Sequence, residues 1–134
     1  MSFTTRQIGE APDVIAADGS EVRILCQTGR GSMAHFTLAP GAIAKAVAHR
    51  TIDEVWYVVS GRGRMWRRHD AGGEGDREEI VEMRAGLSLS IPLGTHFQFH
   101  ADDDTPLAAV GVAMPPWPGE DEVYVVEGPW QPTV

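Results

Sequence analysis

Gly41-Ala-Ile-Ala-Lys45-Ala-Val47-Ala-His49-Arg-Thr-Ile-Asp-Glu54-Val-Trp56-Tyr-Val-Val-Ser-Gly61 is the stretch of this chain on which the reading of the fold turns. Val55-Trp-Tyr-Val-Val59 is rich in β-branched and aromatic side chains and predicts a strand. Ala44 to His49 is a weaker strand candidate, because alanine suits a pleated surface poorly. In a strand alternate residues share a face, so Lys45, Val47 and His49 point one way, while Glu54, Trp56 and Val58 share a face of the next strand. An imidazole and a carboxylate are thereby offered from neighbouring strands.

The flanking sequence has the same texture. Fifteen glycines and nine prolines cut the 134 residues into short segments, a pattern that favours an all-β fold. Strands are predicted at Val22–Cys26, Met33–Leu38, Arg64–Arg68 and Leu87–Ile91, with turns at Gly29–Ser32, Pro40-Gly41, Gly61–Gly63 and Pro92–Thr95. Leu107 to Met114 is a continuous apolar run, which predicts a strand buried on both faces. Residues 72–76 read as a flexible loop. Glu78–Arg84 suits a helix about as well as a strand. At least eight short strands without a long helix predict a sandwich or barrel in a single domain.

Bulk composition narrows the function classes. Net charge is -8, which disfavours nucleic acid phosphates and anionic lipid as partners. No run of about 18 apolar residues is present, so no transmembrane helix is expected, and the N-terminus has no apolar core of a secretion signal. Cys26 is the only cysteine, which rules out a disulfide or a thiolate cluster within one chain and fits a cytoplasmic protein. A metal would have to be held by imidazole and carboxylate.

The quoted stretch resembles the first motif of the cupin superfamily, which runs glycine, His-x-His, glutamate, glycine. Gly41, His49, Glu54 and Gly61 fall at its spacings, and Val47 stands where the first histidine belongs. Gly86-Leu-Ser-Leu-Ser-Ile-Pro92-Leu-Gly94-Thr-His96-Phe-Gln-Phe-His100 resembles the second motif, glycine, Pro-x-Gly, histidine, asparagine. There His96 comes one residue early, which implies a shortened turn, and His100 replaces the asparagine. The resemblance implies an all-β double-stranded β-helix, a jelly-roll barrel of two antiparallel sheets. It would comprise an N-terminal arm over 1–20, a barrel over 21–114 and a tail over 115–134 that packs on the barrel or on a partner subunit. Two tryptophans and a tyrosine in that tail argue for packing.

Three side chains would converge if their strand faces turn inward: His49, Glu54 and His96. Two imidazoles and a carboxylate suit a non-haem iron site or a catalytic zinc that keeps water in its fourth position. One divalent metal ion is therefore expected, with Fe, Zn, Mn and Ni left open. His35, on a neighbouring strand, is the candidate fourth ligand. His100 lies about 13 Å along the strand from His96, too far to share the metal. Val47, Trp56, Gln98, His100 and Met33 are the expected pocket lining, with Trp66 and Phe36 as further walls. His69 is expected in solvent, and Cys26 as a small buried residue.

The leading functional expectation is a small metal-dependent cupin acting on a small organic molecule, with oxygenase, isomerase, cyclase and lyase chemistry all open. The alternatives are a metal-free small-molecule binder and a non-catalytic dimeric interaction domain. A homodimer is expected in each case.

Overall fold

The computed structural model of the chain describes residues 2–69 and 77–134, so the loop expected over residues 72–76 lies outside the described residues. Eleven strands are described: β1 (Val14–Ile15), β2 (Glu21–Gln27), β3 (Ser32–Leu38), β4 (Val47–His49), β5 (Asp53–Ser60), β6 (Arg62–His69), β7 (Arg77–Arg84), β8 (Ser88–Ile91), β9 (His96–Ala101), β10 (Leu107–Met114) and β11 (Val123–Val125). One single-turn 3-10 helix, Glu120–Glu122, is the sole helical element among the described residues.

The strands form two antiparallel sheets, β1-β2-β3-β10-β5-β8 and β11-β4-β9-β6-β7. Strictly alternating burial in β5, with Glu54, Trp56 and Val58 inside and Val55 and Tyr57 outside, shows the period-2 pattern at work. The space between the sheets is filled from both sides by Leu38, Val47, Trp56, Val58, Met65, Met83, Ile91, Phe97, Phe99 and Leu107. Burying each large apolar side chain of this kind contributes about 1.5–3 kcal/mol.

Two local expectations are resolved by pairing. Residues 77–84 form a strand because β7 meets β6 with opposite charges face to face: Arg64 opposite Glu82, Arg67 opposite Glu79, and Arg68 opposite Glu78. Such pairs favour strand pairing over an isolated helix. β10 is not buried on both faces: Leu107, Ala109, Gly111 and Ala113 are inside, while Ala108, Val110 and Val112 are half-exposed. A continuous apolar run does not distinguish the two cases, because valines and alanines on an outer sheet face give the same string.

Turn geometry sets the register of β5 and β6. Gly61 has φ +84°, and a Cβ there would lie 1.9 Å from the Pro106 carbonyl oxygen. No other residue type fits that turn without moving the neighbouring chain.

Both termini lie along the barrel. Arg23 on β2 donates to the carbonyls of Gly9 at 3.0 Å and Glu10 at 2.5 Å, which holds the arm against the sheet. After β10, the prolines around Trp117 preclude a further strand, and Glu122 then anchors the chain. Its carboxylate accepts from the backbone N–H groups of Arg50 and Thr51, both at 2.8 Å, and from the Thr51 hydroxyl. β11 pairs with β4, Val123 opposite His49 and Val125 opposite Val47. The tail then crosses the outer face of the five-stranded sheet, where Val126 N–H donates to the Ala46 carbonyl at 2.9 Å. No helix among the described residues is long and apolar enough to cross a membrane.

Candidate functional site

His49 and Glu54 meet inside the barrel. His49 ends β4 and Glu54 lies one residue into β5, so the short connection between those strands brings the two together. Nε2 of His49 is 3.2 Å from Oε1 of Glu54, and both residues are only 5% exposed. Burial penalises a charge on either group. It pushes Glu54 up to about 8, aided by the negative charges of Asp18 and Glu122 and opposed by the Trp56 indole N–H. That N–H lies outside hydrogen-bonding geometry. Burial also pushes His49 down to about 4, against the attraction of Glu122. Both shifts favour the uncharged forms, a carboxylic acid beside a neutral imidazole.

His96 is not brought to this pair. In the β4–β9 ladder Phe97 stands opposite Val47, and His96 opposite Ala48. Phe97 and Val47 belong to the core, so His96 faces outward, beside Arg68 of β6. No turn has been shortened. Thr95 N–H closes the turn on the Pro92 carbonyl at 3.0 Å, and the residue aimed at His49 is simply the next one, Phe97. A one-residue step along a strand reverses the face, which is why the expected set of three does not assemble.

The other expected site residues divide by the same parity. Val47 and Trp56 face the interior. Met33 and His35 lie on the outer face of β3, out of phase with Phe36, whose ring packs on inward-facing Trp56. His35 sits opposite Arg23, and burial followed by that cation lowers its pKa. Gln98 and His100 share the outer face with His96, under the tail. Gln98 donates to the carbonyls of Ala44 at 2.8 Å and Trp130 at 2.9 Å, and the His100 ring meets Trp130 edge-on at 4.5 Å. Trp66 is likewise on that face and donates to Glu78 at 2.9 Å. His69 is tied to the Leu93 carbonyl at 3.2 Å. Cys26 is half-buried, with its Sγ donating to the Thr4 carbonyl at 3.4 Å.

Aromatic rings wall the His49–Glu54 pair. The His49 ring lies 5.2 Å from Phe97 and 5.8 Å from the edge of Trp117. Trp56 stacks on Phe36 at 4.9 Å and meets Phe97 and Phe99 edge-on. Gly111 of β10 makes room for that stack, since a Cβ there would come within 2.7 Å of Phe36 and 2.9 Å of Trp56. Sequence reading missed Phe97, Thr95 and Trp117. The Pro-x-Gly spacing could have identified Phe97, whereas nothing in the tail signals where Trp117 docks.

Among the described residues the donor set falls short of a three-ligand metal site. Two protein donors face one another, where zinc and iron sites of this kind need three, and the remaining inward positions hold Val47 and Phe97. Among the described residues no group of three or more His, Cys, Asp or Glu side chains could hold an ion. An open groove lined by Gly41, Arg64, His100 and the acidic turn 102–104 shares no residue with the pair.

Comparison with known proteins agrees with the barrel. The family model described as Cupin domain matches residues 34–113. Oxalate oxidase in complex with the substrate analogue glycolate is 25% identical, with TM-score 0.68 over 87% of this chain and 60% of that one. CapF with the inhibitor 3-isopropenyl-tropolone is 21% identical, with TM-score 0.66 over 81% of this chain and 32% of that one. BH2720 from Bacillus halodurans is 18% identical, with TM-score 0.63 over 84% and 80%. The last two show the fold alone, and the chain spans about a third of CapF and three-fifths of the oxalate oxidase. No curated protein matches by sequence.

Proposed function

The chain belongs to the cupin domain family, and from that premise we propose that it binds a small organic molecule at the His49–Glu54 end of the barrel without a resident metal. One observation carries the reading. The β4–β9 register turns Phe97 and Val47 inward and His96 outward, leaving one imidazole and one carboxyl among aromatic walls. A neutral pair of this kind both donates and accepts hydrogen bonds, and together with an apolar enclosure it suits a ligand of mixed character. Support from the comparisons is of the same grain: the oxalate oxidase, 25% identical, is solved in complex with the small organic molecule glycolate.

A divalent metal held by His49 and Glu54 alone is the competing reading. The 3.2 Å separation favours it, being close to the spacing of two adjacent ligands with bonds of about 2.1 Å. Thermal melting distinguishes the two. A ligand that binds only the folded state raises its stability, so prolonged chelation should leave the melting temperature unchanged, as should added zinc, manganese, iron or nickel. A drop with chelator that any of these ions reverses would support the metal instead.

The homodimer belongs to the same proposal. Met33, Val55, Tyr57 and Val59, 39–53% exposed, lie on the outer face of the six-stranded sheet, with Val112 between Met33 and Val55. Mass in solution tests it, with twice the chain mass expected and a monomer contradicting it.

A further inference from the structure

Four buried side-chain atoms at one end of the barrel have no partner in the protein: Nδ1 of His49, Nε1 of Trp56, Nε of Arg67 and Oγ1 of Thr95. Phe97 is their common neighbour. Its ring lies 5.2 Å from that of His49 and 6.1 Å from that of Trp56. Arg67 stands opposite Phe97 in the β6–β9 ladder and so shares its inner face, and Thr95 precedes Phe97 by two residues. Native proteins rarely leave buried polar atoms unpaired. Four of them around one ring mark a place where the partner comes from outside the chain.

The donor inventory defines that partner. Indole and guanidinium N–H groups only donate, whereas a hydroxyl and a neutral imidazole nitrogen either donate or accept. None of the four atoms is restricted to accepting, so the missing partner is rich in acceptors. Its charge follows from Arg67, whose side chain is 17% exposed and bridges the two sheets. Nη1 donates to the Ser90 carbonyl of β8 at 2.8 Å, and Nη2 pairs with Glu79 on the edge strand β7. The Glu79 side chain is 60% exposed, so solvent screens that pair, while the Nε–H of the cation stays buried and unused. A hydrogen bond to an ionised acceptor from such a donor is roughly twice as strong as one between neutral groups. The Glu54 carboxyl is engaged on the other flank of Phe97, where it meets Nε2 of His49 at 3.2 Å. β9 separates β4, which carries His49, from β6, which carries Arg67, and two strands so separated lie about 10 Å apart.

We infer that this end of the barrel takes a small monocarboxylate, whose oxygens accept from the Arg67 Nε–H and the Thr95 hydroxyl. The inference rests on the reading of the His49–Glu54 end as the ligand site, and it adds the ligand's head group and its two anchors.

The four tryptophans give four indole N–H signals in a ¹⁵N-labelled protein, and Trp56→Phe identifies one of them. Butyrate and benzoate are titrated against butyramide and benzamide, which match them in shape and carry no charge. The Trp56 signal should move with the two acids at affinities at least about tenfold above those of the amides. Arg67→Gln should weaken the acids by about tenfold and leave the amides within about twofold. Thr95→Val, which keeps shape and removes the hydroxyl, should also weaken the acids, and it carries the test if Arg67→Gln does not fold. Glu79→Gln, which removes the exposed partner and keeps the guanidinium, should retain the preference for acids. Amides that bind as tightly as the acids overturn the inference and leave the ligand site standing. Full acid affinity in a folded Arg67→Gln or Thr95→Val variant overturns it in the same way. No movement of the Trp56 signal with any probe removes the ligand site along with the inference. Movement only after zinc is added removes the metal-free reading on which both rest.

Discussion

Phe97 faces Val47 across the β4–β9 ladder, and these two apolar side chains occupy the inward positions beside His49. If their identity is what excludes a metal, Val47→His combined with Phe97→His should create a site with His49 and Glu54. The double variant should take up about one equivalent of zinc or nickel, with a melting temperature that rises when the ion is in excess. Either single variant should bind more weakly. No uptake by a folded double variant would show that the His49–Glu54 pair is not directed at that space.

Stability should respond to pH through the neutral pair. Glu54 is raised from 4.5 to about 8, so between those values the folded state holds a proton that the unfolded state has released, and stability falls as pH rises. His49 is lowered from 6.5 to about 4, so between those values the unfolded state holds the extra proton, and stability rises with pH. The two slopes oppose one another from about pH 4.5 to 6.5, and only the Glu54 slope persists from about 6.5 to 8. Over that upper window this amounts to at most about 2 kcal/mol. Asp18, also raised by burial, has the same sign as Glu54, so the readout is the difference from Glu54→Gln, which keeps a donor to His49. Melting curves across this range should fall more steeply for the wild type than for the variant. Parallel curves would contradict a raised Glu54.

Gln98→Leu should loosen the tail. The Gln98 amide donates to Ala44 and Trp130 and accepts from the Trp130 N–H at 3.1 Å, so it stands in for a strand neighbour. Leaving those backbone groups without partners should cost about 1–3 kcal/mol. Protease cleavage beyond Val125 should become faster while the barrel resists. An unchanged cleavage pattern would mean that the tail is held by other contacts.

Gly111→Ala tests the crowding at the Phe36–Trp56 stack. The added methyl would meet both rings at under 3 Å, and overpacking of this kind costs about 1–3 kcal/mol. Denaturant midpoints should fall, and tryptophan fluorescence should shift. A variant as stable as the wild type would show that the rings can yield.

The fold was legible because its signals are local. Val55–Val59 and Leu87–Ile91 announce their strands by composition and alternation, and Gly61 marks a turn that only glycine fits. The His49–Glu54 contact was legible for the same reason, since both residues flank the short connection that carries the chain from β4 in one sheet to β5 in the other. His96 was misassigned because face parity depends on which residue of the strand first enters the ladder, and that is set by the Pro92–Thr95 turn closing normally rather than short. Trp117 could not be placed from sequence, because its backbone N–H is held by the Ser32 hydroxyl at 2.8 Å and its ring meets His49, both contacts between residues far apart in the chain.

The most direct test of a metal-free barrel is elemental analysis by plasma mass spectrometry of protein purified without a metal-affinity tag, alongside His49→Ala. The account predicts divalent metal far below one equivalent in both proteins. One equivalent of a single metal in the wild type, lost in His49→Ala, would contradict it.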